Sequence, residues 1–313
     1  MISQDFHKVS TNNIIRKNIV QVENDIYGVL SRGEKVLQDV IWDQHYYHEH
    51  RRWSVIDYLK MIEFDKLTTD DKHFVFNAGR AELTTKPGAD RLTRMADKEC
   101  RFWKDKDPIL SSVMQACGTW SRYWNEEESH HEMSLLMIAN MSGNNIVNDK
   151  TIIEYRGIFP DDDMLRTLTL LAFSECTAVA QYLDFAKCTT EPTLKKLAKQ
   201  IADDEIQHMN NFICFAKALI ESGHYSAKQV FSIGHLFLKK DGELEGVTRG
   251  EAVNRDGHVN WWDDVDDGNE KLRITNDVKR KRKLILSAIY KITGIQVASP
   301  KEVEDTWMDL VSC

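Results

Sequence analysis

The spacing Glu-x-x-His occurs twice in this chain, each time inside a stretch with the apolar repeat of a buried helix. The first copy is Glu128-Ser129-His130-His131 and the second is Glu205-Ile206-Gln207-His208. Residues three apart on an α-helix face the same way, so each copy can direct one carboxylate and one imidazole at a common point. A further Glu on each of two other helices would complete a carboxylate-bridged two-metal site in an all-α bundle.

The first copy can be read in two registers. The helix predicted from Pro108 to about Asn140 has an apolar row, and its members are Val113, Cys117, Trp120, Trp124, Leu135 and Ile138. Glu128 and His131 fill the two missing places in that row. The competing pair, Glu127 and His130, turns away from it. We therefore assign the metal ligands to Glu128 and His131.

The second copy and one isolated acid extend the pattern. Glu205 and His208 share a stripe with five apolar residues, namely Leu197, Ile201, Phe212, Phe215 and Leu219, on a helix predicted to start at Thr190 and Pro192. Glu175 is the one charged residue of the segment 168–180, in a helix predicted from about Met164 to Lys187. An ionised Glu facing a core needs a partner. A bound cation is one solution, and a buried ion pair or a neutral acid is the other.

The fourth carboxylate should come from the helical stretch 72–103, which precedes a turn at 104–108. If the helices on either side of this turn are antiparallel, residues equally far from it lie at the same height. Residues 82–85 then lie opposite the first Glu-x-x-His pair. Glu82 falls in this range, whereas Glu99 is too close to the turn. We therefore predict Glu82 as the remaining ligand.

Composition limits the function classes. A net charge of -8 argues against a general nucleic-acid binder, and no apolar run approaches the length of a membrane span. The N-terminus has no apolar signal core, so the expected location is cytoplasmic. Six scattered cysteines without a C-x-x-C pair indicate reduced thiols. Few prolines and glycines favour long helices, with an interruption expected near Pro87-Gly88.

We expect a single domain over residues 1–313, with core helices at about 72–220. Residues 1–60 form a predicted N-terminal helical segment, and residues 224–313 a helical and loop extension that is polar at 239–271. The run WDQHYYHEHRRW at 42–53 fits a packing face better than a metal patch. The densest basic run is Lys279, Arg280, Lys281, Arg282 and Lys283, which is either a solvated helix face or a docking surface.

These motifs resemble those of the soluble acyl-carrier-protein desaturases, a ferritin-like diiron family. Its W-x-x-E-E-x-x-H is similar to the sequence from Trp124 to His131, and its A-D-E-x-x-H to that from Ala202 to His208. The family's F-Q-E-R-A-T is matched loosely at 173–177, and its W-x-x-x-D-F-L at 53–59. The resemblance covers roughly residues 50–220. It departs at two places. The family threonine falls on Ala178, with Thr177 one place earlier, and the family's first ligand falls on Thr85 in an ungapped overlay, so that a match to Glu82 requires a short gap.

The resemblance implies a ferritin-like helical bundle, two iron ions, O2 as co-substrate, reduced ferredoxin as electron donor, an acyl carrier protein as partner and a homodimer. It also implies that the Thr177 hydroxyl forms a hydrogen bond on the side of the site where O2 binds. Trp53 and Asp204 would form a path for electrons. Asp204 and Glu127 each adjoin a ligand Glu, so they are candidates to hold the histidine tautomers. The basic run at 279–283 would dock the acidic carrier.

Two alternatives remain open at the level of sequence. One is a diiron oxygenase that hydroxylates or N-oxygenates a carrier-tethered or free small molecule. The related arylamine N-oxygenases carry an extra His one turn before the last Glu-x-x-His, where this chain has Ile201. The other is ferritin-like iron storage, for which a 313-residue chain is longer than a compact cage subunit.

Overall fold

The computed structural model describes residues 23–83, 85–143, 163–238 and 270–312, with the backbone alone at 270–278. Every regular element in these ranges is helical, which confirms the predicted all-α class. A 3-10 turn lies at Phe64–Lys66. The α-helices are α1 (Ile26–Ser31), α2 (Leu37–Arg51), α3 (Val55–Met61), α4 (Thr69–Glu82), α5 (Thr85–Trp103), α6 (Pro108–Met141), α7 (Met164–Cys188), α8 (Pro192–Glu221), α9 (Ala227–Leu238), α10 (Glu270–Thr293) and α11 (Pro300–Ser312).

The central part of the described chain consists of the packed helices α4 to α8. The consecutive helices α4 and α5 pack along α6, and α7 packs along α8. Short connections join α5 to α6 and α7 to α8, which is the arrangement of antiparallel hairpins. Helix α6 also contacts α8, so the two hairpins share a face. Both Glu-x-x-His helices therefore lie next to each other.

Local capping explains where the long helices begin. The Asp107 side chain accepts a hydrogen bond from the Leu110 amide at 2.9 Å, and Pro108 occupies the first turn of α6. Asp163 caps α7 by accepting from the Arg166 amide at 2.9 Å. Glu191 caps α8 just before Pro192. A side-chain acceptor at the cap and a proline in the first turn both suit the unpaired amides there.

The break between α4 and α5 differs from the prediction. The sequence places it near Pro87-Gly88, but α4 ends at Glu82 and α5 begins at Thr85. Pro87 lies in the first turn of α5, where an amide has no partner within the helix, so a proline costs no hydrogen bond. Glu82 is consequently the last residue of α4.

The apolar core has two parts. The first cluster contains Trp124 and Phe212, and the second contains Leu135 and Ile201. Since Trp124 and Leu135 both lie on α6, the first Glu-x-x-His pair falls between the two clusters. The predicted ligands thus form a polar layer inside an apolar bundle.

The terminal segments contribute to the first cluster. Ile26 of α1 belongs to it, as do Phe231 of α9, Ile289 of α10 and Val303 of α11. The C-terminal extension is therefore partly core. Residues 1–22 of the predicted N-terminal segment and residues 239–269 of the predicted polar loop lie outside the described ranges.

Two further predictions concern the state of the cysteines and the presence of membrane-spanning helices. The cysteines of the described ranges are free thiols, namely Cys100, Cys117, Cys176, Cys188 and Cys214. Among the described helices, none combines the length and the apolar character needed to cross a membrane.

Candidate metal centre

The structure brings all six predicted ligands together. They form two overlapping groups, each with its ligand atoms within 4.8 Å of one another. The groups are Glu82, Glu128, His131 and Glu205, and Glu128, Glu175, Glu205 and His208. None of the six side chains is more than 8% exposed. Because Glu128 and Glu205 belong to both groups, the arrangement has the form of two metal positions bridged by two carboxylates.

Both imidazoles present the same nitrogen to the centre. Nδ1 of His208 lies 2.9 Å from Glu128 Oε1 and 3.0 Å from Glu205 Oε2. Nδ1 of His131 lies 3.4 Å from Glu128 Oε2 and 3.4 Å from Glu205 Oε1. The Nδ1 atom of His131 is buried without a hydrogen-bond partner among the described residues. A buried polar atom left unpaired is unfavourable, and a cation bound at Nδ1 would satisfy it.

The outer nitrogen of each imidazole meets a carboxylate. His131 Nε2 lies 3.2 Å from Asp204 Oδ2, and His208 Nε2 lies 2.8 Å from Glu127 Oε2. A carboxylate that accepts the outer N–H leaves the inner nitrogen free to bind a metal and orients the ring. The structure therefore places Asp204 and Glu127 where the sequence predicted them.

Residues of α2 and of the segment just after it contact the carboxylates of Asp204 and Glu127. Arg51 pairs with Asp204, and His48 Nδ1 lies 2.8 Å from Glu127 Oε1. Trp53 Nε1 donates to Asp204 Oδ2 at 2.8 Å, and its ring stacks on that of His131 with centroids 6.3 Å apart. Asp204 thus connects His131 to the half-buried Trp53.

This outcome corrects our interpretation of the run at 42–53. The segment is a packing face, as predicted, but it has a second role, because its His48 contacts the Glu127 carboxylate and its Arg51 contacts the Asp204 carboxylate. The sequence contained an indication of this second role, because Gln44 and His48 follow Val40 at helical spacing. All three residues lie on the same buried face of α2. Burial of that face required the tertiary structure.

Two more residues hold the ligand carboxylates and were not predicted for this role. The Tyr182 hydroxyl donates to Glu82 Oε1, and Trp124 Nε1 donates to Glu128 Oε1 at 2.8 Å. Tyr182 lies two turns after Glu175 on the same face of α7, and Trp124 lies one turn before Glu128. The sequence presented both as ordinary core aromatics.

Burial and mutual repulsion set the electrostatics of the centre. Burial, together with the carboxylates of Glu128 and Glu205, raises the pKa of Glu82 and of Glu175 well above the usual range. Burial acts in the same direction on Glu128, but the neighbouring imidazoles of His131 and His208 hold its pKa well below that range. Four carboxylates in this volume need positive charge before all can ionise.

The donor set fits a pair of divalent ions. Four carboxylates balance the charge of two such cations, and mixed oxygen and imidazole ligation suits iron or manganese. Each metal position would be held by one imidazole, one carboxylate of its own and the two shared carboxylates.

The structure does not bring Thr177 to the centre. Its hydroxyl donates to the Phe173 carbonyl at 3.2 Å, within the backbone of α7. Among the described residues, no hydrogen bond joins this hydroxyl to a predicted ligand. The role that the resemblance implied for Thr177 is therefore not supported by its position.

The basic run is only partly exposed. Lys281 is buried at 5% exposure, and Arg280 Nη1 donates to the Ala180 carbonyl of α7 at 3.3 Å. Lys279 and Lys283 are exposed, and Arg282 is half-buried. The expectation of a five-residue charged surface is wrong at Lys281, because α10 turns that side chain towards the bundle.

Comparison of the chain with protein-family models, with curated proteins and with solved structures gave no match. The resemblance to the desaturases consequently rests on the motifs, and the site has to be interpreted from its own geometry.

Proposed function

We propose that this protein is an O2-dependent diiron oxidase with a ferritin-like core. The observation that carries the proposal is that Glu128 and Glu205 belong to both groups of ligand atoms. Glu128 and Glu205 would hold two metal ions side by side, and such a pair would supply the chemistry of O2 reduction. A structural metal site has no need of a second ion or of shared ligands.

The favoured reaction is desaturation of an acyl thioester carried on an acyl carrier protein, with a homodimer acting in the cytoplasm. Two bound irons would supply the oxidising power to remove hydrogen from an unactivated C–H bond. The substrate loses two hydrogen atoms and forms a C=C bond. O2 accepts these together with two external electrons and two protons, and leaves as two molecules of water.

The residues of the chain have separate tasks in this reaction. Glu127 and Asp204 keep the outer N–H of His208 and His131 hydrogen-bonded, so that the inner nitrogens stay available. Trp53 links Asp204 towards the surface, and we assign to it the entry of electrons from a ferredoxin-type donor. The apolar clusters on both sides exclude bulk water from the centre.

Aerobic turnover followed by mass spectrometry tests the reaction. The ferrous protein is mixed with reduced ferredoxin and an acyl carrier protein bearing a saturated chain. We expect a product that has lost two hydrogen atoms, and no such product from His208→Ala. A product that gains one oxygen atom would favour the hydroxylase alternative instead.

Iron loading separates an oxidase from a storage protein. We expect binding to saturate at two irons per chain under air. Continued uptake with formation of a mineral core would contradict the oxidase proposal and support iron storage.

Docking of the acyl carrier protein can be tested at Lys279 and Lys283, because both of these lysines in the basic run are exposed. Reversing the charge of exposed Lys279 and Lys283 should raise KM for the acyl carrier protein and weaken its salt dependence, with little change in kcat. The matched control reverses Lys60 and Lys104, which are exposed elsewhere. Equal effects of the two pairs would place the docking surface outside α10.

A further inference from the structure

One guanidinium lies against both outer carboxylates of the candidate metal centre. Nη2 of Arg51 pairs with Asp204 Oδ1 and lies 4.0 Å from Glu127 Oε2. Asp204 contacts the outer nitrogen of His131, and Glu127 contacts the outer nitrogen of His208. A single side chain therefore reaches the carboxylates behind both of the imidazoles that could bind metal.

Contacts with two helices hold this guanidinium in place. Nη1 of Arg51 donates to the Tyr47 hydroxyl at 2.5 Å, and Cζ lies 4.9 Å from the centroid of the Tyr47 ring. Nη2 also donates to the Asp203 carbonyl at 3.4 Å. Tyr47 precedes Arg51 by one turn of α2, whereas Asp203 lies on α8. The rigid fork of donors on an Arg side chain suits acceptors that lie on different sides of it.

Burial strengthens the electrostatic effect of Arg51 on its neighbours. Its side chain is 12% exposed, and those of Glu127 and Asp204 are 13% and 2% exposed. Burial lowers the pKa of Arg51, but the two carboxylates raise it above its usual value, so the side chain stays positively charged. Charges that are shielded from water interact more strongly than exposed charges do.

The next residue, Arg52, carries the same charge in different surroundings. It pairs with Glu126 and with Glu49, and its side chain is 47% exposed. Water and salt screen such surface pairs. The chain therefore offers a matched comparison between a cation behind the centre and a cation at the surface.

The charge of Arg51 bears on the oxidation state that the centre prefers. Four ligand carboxylates would balance two divalent ions, and oxidation of the ions adds positive charge. The carboxylates of Glu127 and Asp204 favour that added charge, whereas the guanidinium of Arg51 opposes it. A cation behind the ligands therefore favours the reduced state. In the proposed reaction, an external donor has to reduce the centre in every turnover.

We propose that Arg51 is a positioning residue that fixes both outer carboxylates and, through its positive charge, raises the reduction potential of the bound iron pair. The inference rests on the proposed function, because it requires iron at the centre and electrons from an external donor. It assigns a role in electron uptake to a residue that is not itself a predicted ligand.

Potentiometric titration of the iron-loaded, full-length protein tests this role. Arg51→Met removes the charge and keeps an unbranched side chain. At a fixed potential it should raise the ratio of oxidised to reduced protein about tenfold, a fall of about 30 mV for a two-electron couple. Arg51→Lys keeps the charge without the fork and should stay within about threefold of the wild type. The matched control, Arg52→Met, removes the same charge at the surface and should also stay within about threefold.

Thermal melting shows whether each variant is folded, and Arg51→Gln is a second neutral variant with the same expected result. An unchanged potential in the folded neutral variants would overturn this role, as would an equal fall in Arg52→Met. A fall in Arg51→Lys as large as that in Arg51→Met would also overturn it, because the charge would then not be the cause. Absence of iron binding in the wild-type protein would overturn the proposed function together with this role, whereas normal iron binding with unchanged potentials would overturn this role alone.

Discussion

Adjacent residues on α6 have different tasks in this molecule. Glu128 points into the bundle and is shared by both groups of ligands, while Glu127 points to α2 and α8 and holds His208 from behind. One position along a helix changes the direction of a side chain by about 100°. A single step therefore separates a candidate metal ligand from the residue that orients another candidate ligand.

At the same scale, His131→Ala and His208→Ala should each lower iron affinity at least about tenfold, because each removes the single imidazole of one metal position. The measurement is iron content after dialysis against a weak chelator. The control is His130→Ala on the same helix. The His130 imidazole contacts the Trp53 ring and is not one of the predicted ligands. If His130→Ala lost iron while His131→Ala kept it, the register assigned to this helix would be wrong.

Helix α4 reaches the centre only because it approaches α6 closely. A Cβ at Gly79 would lie 2.8 Å from Leu136 Cδ2 and 3.2 Å from Leu135 Cβ. Gly79 precedes Glu82 by three residues, so this contact sets the height and the distance of the Glu82 carboxylate. Thr68 and Asp71 form a capping box at the other end of the helix.

Gly79→Ala should therefore destabilise the protein by about 1–2 kcal/mol, since overpacking costs about 1–3 kcal/mol and the gain in helix propensity returns about 0.5–1 kcal/mol. Chemical denaturation measures the change. Gly88→Ala is the matched control, because a Cβ there meets only Trp124 at 3.7 Å, an ordinary contact. It should be neutral or stabilise by about 0.5–1 kcal/mol. Equal destabilisation by the two variants would contradict this account of α4.

Over the whole molecule, the candidate metal centre is a polar layer between two apolar clusters. Its ligands come from α4, α6, α7 and α8, which span most of the described chain. Occupancy of the centre therefore links helices from both hairpins. Without a cation, repulsion among the buried carboxylates opposes their packing.

At a free metal concentration near 100 times Kd, binding should stabilise the folded protein by about 2.7 kcal/mol. This free energy should raise the melting temperature by roughly 5–10 °C. Calorimetric or fluorescence melting with Fe²⁺ or Mn²⁺ under nitrogen measures the shift. His208→Ala should lose most of it. A shift of the same size in that variant would mean that the metal acts at another place.

Metal binding should also release protons. Burial and neighbouring carboxylates raise the pKa of Glu82 and of Glu175, and although burial opposes it, hydrogen bonds to carboxylates raise the pKa of His131 and His208. These groups hold protons in the metal-free protein that the metal displaces. Affinity should therefore fall as pH falls. Calorimetry in two buffers of different ionisation enthalpy gives the number released, and equal heats in both would contradict the prediction.

Periodicity was sufficient to predict much of this protein. The rows through Glu128, Glu175 and Glu205 are buried as their 3.6-residue spacing indicates, because a helix converts spacing along the chain directly into direction. Pro108 and Pro192 begin helices where local capping chemistry places them. Glu82 followed from distance to a turn, since antiparallel neighbours match in height.

Contacts between segments far apart in the chain could not be predicted from local patterns. His48 and Arg51 meet Glu127 and Asp204 across 79 and 153 residues of chain, and no local pattern encodes such a pairing. Lys281 is buried because α10 packs on α7, although its neighbours in sequence are all basic. Helical periodicity thus predicts which side chains face inward along each helix, whereas the packing of the helices determines which of these side chains meet.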